Sequence, residues 1–329
     1  MKKTLTVIVP AYNVEKYLEN VLPSYCVAGE NRLEVLIVND GSTDSTPSIA
    51  EAFCASDPDI FKLVNKENGG HGSAINTGVA QASGIYVRII DGDDRICTRN
   101  IVALLDALDN SDDDLIIDVK REVEIGTGNS RLLNLPTDIP RNVSIPFADV
   151  CMRDDIEEFF MIHTVTMRTE FLRQHGIRLL EHTFYVDYEL IVKISSHAQT
   201  VRFLDQEGCN YYVGNAEQSV APANYVRRWG DHTRVTYELL RYAEQAHLDP
   251  MRQLFVNKRV QLIVNTHYNI ALIFDDDRER GLARAREFRA YLKENHHPFY
   301  VAGERRYQQA LIFHHLGVDA VKLDRIMGR

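Results

Sequence analysis

Five short apolar runs, at residues 5–9, 33–38, 60–64, 85–90 and 115–119, alternate with segments of helical spacing. Each run is too short for a helix and nearly continuous in apolar residues, the pattern of a strand buried on both faces. Between them, Val14, Leu18, Val21, Leu22 and Tyr25 share one helical face, and Ile101, Leu104, Leu105 and Leu108 share another. Asn13 and Thr98 stand where helix caps belong. Pro47 stands in the first helical turn, where a missing N–H costs nothing. A third helix is expected over 73–82, after a glycine loop. This alternation predicts an α/β chain whose central sheet is mostly parallel, with helices on both faces. Ligands of such sheets bind outside the carboxyl ends of the strands. Tyr12, Asp40, Asn68 and Asp91 all fall just after a strand.

The pattern loosens over 121–160, which holds Pro136, Pro140 and Pro146. Strands are expected at 162–167, 200–204 and 210–213, with a short helix opening at Thr169 and a longer one over 185–195. From about residue 223 the spacing is wholly helical, in segments 225–247, 250–274, 278–295 and 304–327. The expected division is an α/β domain over 1–222 and a C-terminal helical region over 223–329. Charge divides the same way. Residues 1–220 carry 19 basic and 34 acidic residues, a balance of −15, and residues 221–329 carry 18 and 13, a balance of +5.

Of the 329 residues, 45% are hydrophobic and 26% charged, which excludes a disordered or collagen-like chain. A net charge of −10 argues against general nucleic-acid binding. Five cysteines without a CxxC pair read as free thiols of a cytoplasmic protein. No stretch approaches the roughly 20 apolar residues of a membrane span. The first residues run into a strand-like segment too short and polar for a signal peptide.

The sharpest chemical signal is Asp91-Gly92-Asp93-Asp94, three carboxylates closing a buried strand. Left unpaired they raise each other's pKa, and a divalent cation relieves the repulsion. Hard oxygen ligands favour Mg²⁺ or Mn²⁺ over Zn²⁺. A solvated acidic turn is the plainer explanation, and the strand context weighs against it. Asp40 opens a turn after the second strand. Asn68-Gly69-Gly70-His71-Gly72 offers close backbone approach and N–H groups near a helix start, suited to an anion. It is neither a GxGxxG loop nor a P-loop.

Taken in order, Pro10-Ala11-Tyr12-Asn13, Val38-Asn39-Asp40-Gly41-Ser42-Thr43-Asp44, Asn68-Gly69-Gly70 with Asn76 and Gly78, and Asp91-Gly92-Asp93-Asp94 resemble the family 2 glycosyltransferases, which have the GT-A fold. The resemblance covers roughly residues 4–220. It implies that Pro10 and Tyr12 flank a nucleobase and that Asp40 contacts it. Asn68, Gly70 and Asn76 belong to the same nucleotide-sugar site. Asp91 and Asp93 form the DxD pair, reaching the ribose and a metal that bridges the diphosphate. Asp94 joins that cluster, and which of the three is the direct ligand stays open. The family's base is usually a Glu-Asp motif at a helix start. Here Val186 stands in place of the Glu, so the match rests on Asp187. Gln218-Ser219 matches a short motif near the diphosphate. Where the family often has Arg-Asn, this chain has Ile75-Asn76.

The implied reaction is inverting transfer of a sugar from a nucleotide-diphosphate sugar, UDP first among the options, to a hydroxyl of a glycan or lipid-linked acceptor. Capsule, exopolysaccharide or other envelope glycan synthesis is the implied setting. Competing readings are a haloacid-dehalogenase-like phosphohydrolase, a sugar-nucleotide pyrophosphorylase and a non-catalytic nucleotide-sugar binding module. The first wants Thr or Val where Arg95 stands. The second wants a basic glycine loop where Pro10-Ala11-Tyr12-Asn13 stands. Segment 278–293 is basic and amphipathic, which suits either a solvated face or weak peripheral contact with the inner face of a membrane. His163 reads as a satisfied core histidine, His71 as a loop residue, Asp275-Asp276-Asp277 as a solvated turn. Trp229 and Tyr225 suit either an acceptor groove or core packing.

Overall fold

The computed structural model describes residues 3–27, 29–213 and 219–327. They form two compact units, one of residues 1–182 and 193–214, the other of residues 183–192 and 215–329.

The first unit is built on strands β1 (Leu5–Ala11), β2 (Leu33–Asp40), β3 (Phe61–Lys66), β4 (Tyr86–Ile89), β5 (Arg95–Ile96), β6 (Leu115–Glu124), β7 (Ser130–Leu132), β8 (Ser144–Pro146), β9 (Val165–Arg168) and β10 (Thr200–Val213). Their order in the sheet is β3-β2-β1-β4-β9-β6-β10-β5, with β7 on β6 and β8 on β10. The long pairings β1–β2, β2–β3, β1–β4 and β6–β10 are parallel; β9 runs antiparallel between β4 and β6. This is the mostly parallel α/β sheet expected. Every residue of β1 and of β2 is buried, as their apolar runs require. Each Val, Ile or Leu so buried contributes about 1.5–3 kcal/mol.

Helices α1 (Glu15–Val21), α2 (Thr46–Ser56), α3 (His71–Gln81) and α4 (Ile101–Asp109) connect these strands. Asn13 does not cap α1. It takes a left-handed backbone, φ 53°, and its amide oxygen accepts from Thr43 N instead. Thr98 opens a short 3-10 turn that makes no side-chain cap. The two short strands expected at 200–204 and 210–213 are one strand, with register shifts between Phe203 and Cys209. The polar Gln206-Glu207-Gly208 bulge hid the continuity.

Glu34 and Asp118 are among the carboxylates buried in this unit, and each is compensated. Glu34 accepts from Thr6 Oγ1 at 2.5 Å and from Ser83 N and Oγ at 3.0 and 2.8 Å, and pairs with Lys62. Arg88 reaches past β9 to Asp118, Nη2 lying 2.7 Å from Oδ1, and also donates to the His163 carbonyl at 2.7 Å. Both side chains are fully buried.

After short helices α5 (Phe147–Val150) and α6 (Thr169–Gln174), helix α7 (Val186–His197) begins in the second unit and ends in the first. The second unit continues as α8 (Pro222–Arg227), α9 (Trp229–Gln245), α10 (Pro250–Asn269), a π-turn at Ile270–Phe274, α11 (Arg278–Asn295), α12 (His297–His315) and α13 (Ala320–Met327). The helix expected over 304–327 starts seven residues earlier and breaks at Gly317, φ 67°. Asp249 caps α10 and Asp277 caps α11. Asp275 is no solvated turn residue. It is buried and accepts from Arg280 Nε at 3.0 Å and Arg284 Nη1 at 2.9 Å. Trp229 packs rather than lining a groove, stacking on His267 at 3.8 Å with Arg284 over its ring.

Candidate active site

Register brings the sequence motifs to one edge of the sheet. Ala11 pairs with Asn39, Asp40 with Lys66 and Ile8 with Ile89, so the loops after β1, β2, β3 and β4 leave side by side. Ile90 N still bonds Ile8 O at 3.1 Å, and the chain then turns, with Asp94 N donating to Asp91 O at 3.0 Å. That turn gathers Asp91, Asp93 and Asp94, each offering a carboxylate oxygen within 4.8 Å of the others.

The three carboxyls differ. Asp94 is buried and accepts from Tyr212 N at 3.3 Å; burial, then the charges of Asp93 and Asp91, push it well above the usual carboxylate range. Asp93 is pushed up to about 6 by burial and then by Asp91. Burial also acts on Asp91, but its pairing with His71, Nε2 to Oδ1 2.9 Å, more than offsets that and lowers its pKa. Asp91 keeps 39% of its side chain exposed. Burial and mutual repulsion make two of the three carboxyls resist ionisation, and hard oxygens are the ligand set of Mg²⁺ or Mn²⁺. These residues fit such an ion. His71, expected as a mere loop residue, is part of the cluster. The signal was its place, at the start of the helix after β3, three positions along the sheet from Asp91's own strand.

The neighbouring loops are braced against each other. Asn13 N donates to Ser42 Oγ at 3.1 Å and Val14 N to Thr46 Oγ1 at 2.9 Å. Tyr12 stands above this brace 53% exposed, and Pro10 lies in β1 with its carbonyl close to Gly92. The Asp40 carboxylate already accepts from Gly69 N at 2.9 Å, Gly70 N at 2.7 Å and Lys66 Nζ at 2.6 Å. Asp40 therefore shapes the glycine loop, and a nucleobase N–H would share an oxygen that is in use. Asn68 Nδ2 donates to the Asp40 carbonyl at 2.9 Å. Gly70, φ 84°, starts α3 with no side-chain cap. Asn76 is committed elsewhere, donating to Leu179 O and accepting from Leu179 N, both at 2.9 Å.

Asp187 and Ser219 belong to the second unit, whereas the other predicted residues that can be described belong to the first. Gln218 lies outside the described residues. Asp187 occupies the second position of α7, after Tyr185 at φ 67°. An aromatic cluster holds this turn. The Tyr185 ring stacks on Tyr225 at 4.9 Å, its hydroxyl donates to Ser219 O at 3.0 Å, and the Tyr188 and Tyr225 hydroxyls lie 3.2 Å apart. Burial and then the Asp187 charge push Tyr188 up to about 12, so it is a neutral phenol beside that carboxylate.

His163 is buried but not satisfied. It stacks on Tyr211 at 4.5 Å, its Nε2 has no hydrogen-bond partner, and burial drives it down to about 3.

The glycosyl transferase family 2 profile matches residues 6–176. The uncharacterized glycosyltransferase YibD of Escherichia coli (strain K12) is 25% identical over 261 residues, 75% of this chain and 74% of that protein. Glycosyltransferase GlyA of Streptococcus pneumoniae serotype 4 is 44% identical over 92 residues, 28% of this chain and 13% of GlyA. The uncharacterized glycosyltransferase EpsJ of Bacillus subtilis (strain 168) is 33% identical over 112 residues, 34% and 32% of the two chains. The chain thus matches a third or less of the length of GlyA and EpsJ. Among solved structures, S. aureus TarS 1–349 in complex with UDP-GlcNAc superposes with a TM-score of 0.67 at 19% identity, covering 96% of this chain and 92% of that one. The mannosyltransferase PcManGT of Pyrobaculum calidifontis, in complex with GDP-Man and Mn²⁺, superposes with a TM-score of 0.54 at 19% identity, covering 96% and 87%. At these identities the likeness shows the fold, which is the GT-A fold.

Proposed function

This chain belongs to glycosyl transferase family 2, and from that membership we propose that it moves a sugar from a nucleotide-diphosphate sugar to an acceptor hydroxyl, with inversion at the anomeric carbon. The observation that carries the reading is the Asp91, Asp93 and Asp94 cluster at the carboxyl edge of the sheet. Asp91, Asp93 and Asp94 would hold Mn²⁺ or Mg²⁺, which neutralises the charge of a diphosphate leaving group. His71 orients Asp91. The uncapped start of α3 and the backbone at Asn68 and Gly70 suit phosphate oxygens, and Tyr12 offers an exposed ring to a nucleobase. Asp40 and Asn76 act through the backbone they hold. Asp187 takes the proton of the attacking hydroxyl. One such base and one displacement give inversion.

UDP is the nucleotide we favour, in line with the UDP-GlcNAc complex of TarS, and the Mn²⁺ complex of PcManGT agrees with the choice of cation. The acceptor is a glycan or lipid-linked glycan of envelope or exopolysaccharide synthesis, made in the cytoplasm. Five free cysteines agree with that compartment. No helix among the described residues is long and apolar enough to cross a membrane. Peripheral membrane contact through α11 draws less support than its composition suggests, because Arg280 and Arg284 are held by Asp275 and Arg289 by Glu304.

Thermal shift with UDP, GDP and dTDP, each with Mn²⁺, Mg²⁺ or EDTA, tests the reading. A nucleotide at 100 times its Kd stabilises by about 2.7 kcal/mol. The expected result is a metal-dependent shift with UDP that Asp93→Ala removes. Absence of any metal-dependent shift would count against the proposal.

A further inference from the structure

Beside the acidic cluster the same unit holds a second group of charges that the roles above leave unused. A cavity of about 660 Å³ is lined by Arg95, Arg99 and Arg121 around a single carboxylate, Glu207. Glu207 is nearly buried and already spoken for. Arg121 reaches it through Nε at 2.9 Å and Nη2 at 3.0 Å, and Arg99 through Nη2 at 2.7 Å. Two guanidinium groups on one carboxylate leave a net positive charge. Arg95 adds a second, since it has no carboxylate partner among the described residues. The Tyr212 ring centre lies 5.8 Å from its guanidinium carbon. Asn210, paired with Arg95 across β5 and β10, also lines the cavity, and its Oδ1 is buried without a hydrogen-bond partner.

This arrangement runs against its surroundings. Residues 1–220 carry a balance of −15, so an anion is disfavoured over most of this unit and favoured here. Guanidinium forks suit carboxylate and phosphate oxygens. The unpaired Asn210 oxygen suits a hydroxyl donor. A ligand offering both is a sugar bearing an acidic group. The cavity and the acidic cluster are linked through the chain, since Arg95, which lines the one, follows Asp94, which belongs to the other.

We propose that this cavity binds an acidic sugar of the acceptor, one that carries a carboxylate or a phosphate. The assignment of the ligand to the acceptor rests on the transferase reading; the anion site itself does not.

Isothermal titration of the full chain in EDTA, with the acidic cluster free of metal, tests the site. Tetragalacturonate probes the carboxylate source, mannose 6-phosphate the phosphate source, and maltotetraose is the neutral control. At least one anionic probe should bind about tenfold or more tighter than maltotetraose, and weaken with added salt. Arg95→Gln and Arg99→Gln should each weaken it by about tenfold, the loss of one charge-assisted hydrogen bond. Neither side chain is needed to neutralise a buried charge alone, so both variants should fold. Anionic probes that bind no better than maltotetraose, or that bind Arg95→Gln as they bind the unaltered chain, would overturn the proposal. The nucleotide thermal shift, run on the same proteins, separates the two failures. Loss of that shift throughout, with anion binding intact, removes the transferase reading and leaves the cavity.

Discussion

Buried polarity is handled differently in the two units. The sheet unit buries charges and pairs them: Glu34 with Lys62, Arg88 with Asp118. The helical unit pairs the buried Asp275 with Arg280 and Arg284, but it also buries neutral rings and stacks them: His267 between Trp229 at 3.8 Å and His232 at 5.0 Å, with Tyr185 and Tyr225 close by. The proposed roles divide along the same line: the three clustered carboxylates lie in the sheet unit, and Asp187, the proposed base, lies in the helical one.

The sharpest way to separate the two contributions is Asp187→Asn. Transfer should fall by about 10²–10⁴-fold, the usual share of a general base, while metal-dependent nucleotide binding is unchanged. Steady-state rates with a thermal-shift control check this. If nucleotide binding fell along with the rate, the division of labour would be wrong. Next in size is Arg88→Met. Removing one member of a fully buried pair strands the Asp118 carboxylate and should cost about 3–5 kcal/mol. Urea denaturation measures it. Arg88→Met with Asp118→Leu should recover part of the loss, because no buried charge is then stranded, although the His163 carbonyl loses its donor.

Much of the sheet unit was legible in the sequence because its information is local. An apolar run marks each strand, and a polar residue at its end marks the site. Tyr12, Asp40, Asn68 and Asp91 were found that way. What escaped depends on contacts between distant segments. No spacing rule joins His71 to Asp91, or lets Arg88 reach Asp118 past a strand that comes later in the chain. Asp40 and Asn76 carry motif positions, yet their hydrogen bonds go to backbone at 69–70 and 179. The helical unit was legible as helices and little more. Trp229, His232 and His267 lie on two helices, and only the packing shows that they touch. The start of α12 was missed because His296-His297-Pro298 does not read as a helix, although a proline in the first turn is favourable.

The stacked histidines predict a pH response, to which the buried His163 of the sheet unit adds in the same direction. Burial drives His232 down to about 3 from 6.5, and burial followed by the charges of His232 and Arg284 drives His267 well below its ordinary value. Folded, both stay neutral; unfolded, both take up protons below pH 6.5. The unfolded state then binds more protons, so stability is complete above that pH and falls as pH drops from about 6.5 towards 3. Between pH 7 and pH 5.5 each histidine should cost about 1 kcal/mol. Trp229 is the only tryptophan and stacks on His267, so its fluorescence during urea denaturation reports on this unit. His232→Phe should remove about 1 kcal/mol of the change between pH 7 and pH 5.5. An unchanged slope in that variant would put the pH dependence elsewhere.

The smallest effect tests whether the helical unit also relies on charge at its rim. Asp277 caps α11, its Oδ1 accepting from Arg280 N at 3.0 Å, and it is the weaker of two carboxylates that face Arg280. Asp277→Ala removes the cap but leaves the Asp275 pair with Arg280 and Arg284 in place. It should cost about 1 kcal/mol, the ordinary value of an N-cap, read as a small shift in the urea midpoint. Asp277→Asn keeps an acceptor oxygen and should recover most of the loss. If Asn failed to restore what Ala removed, the charge of Asp277 would matter more than its cap. The helical unit would then draw on charge at Asp277 as it does at the buried Asp275, and its contrast with the sheet unit would rest on the stacked rings around His267.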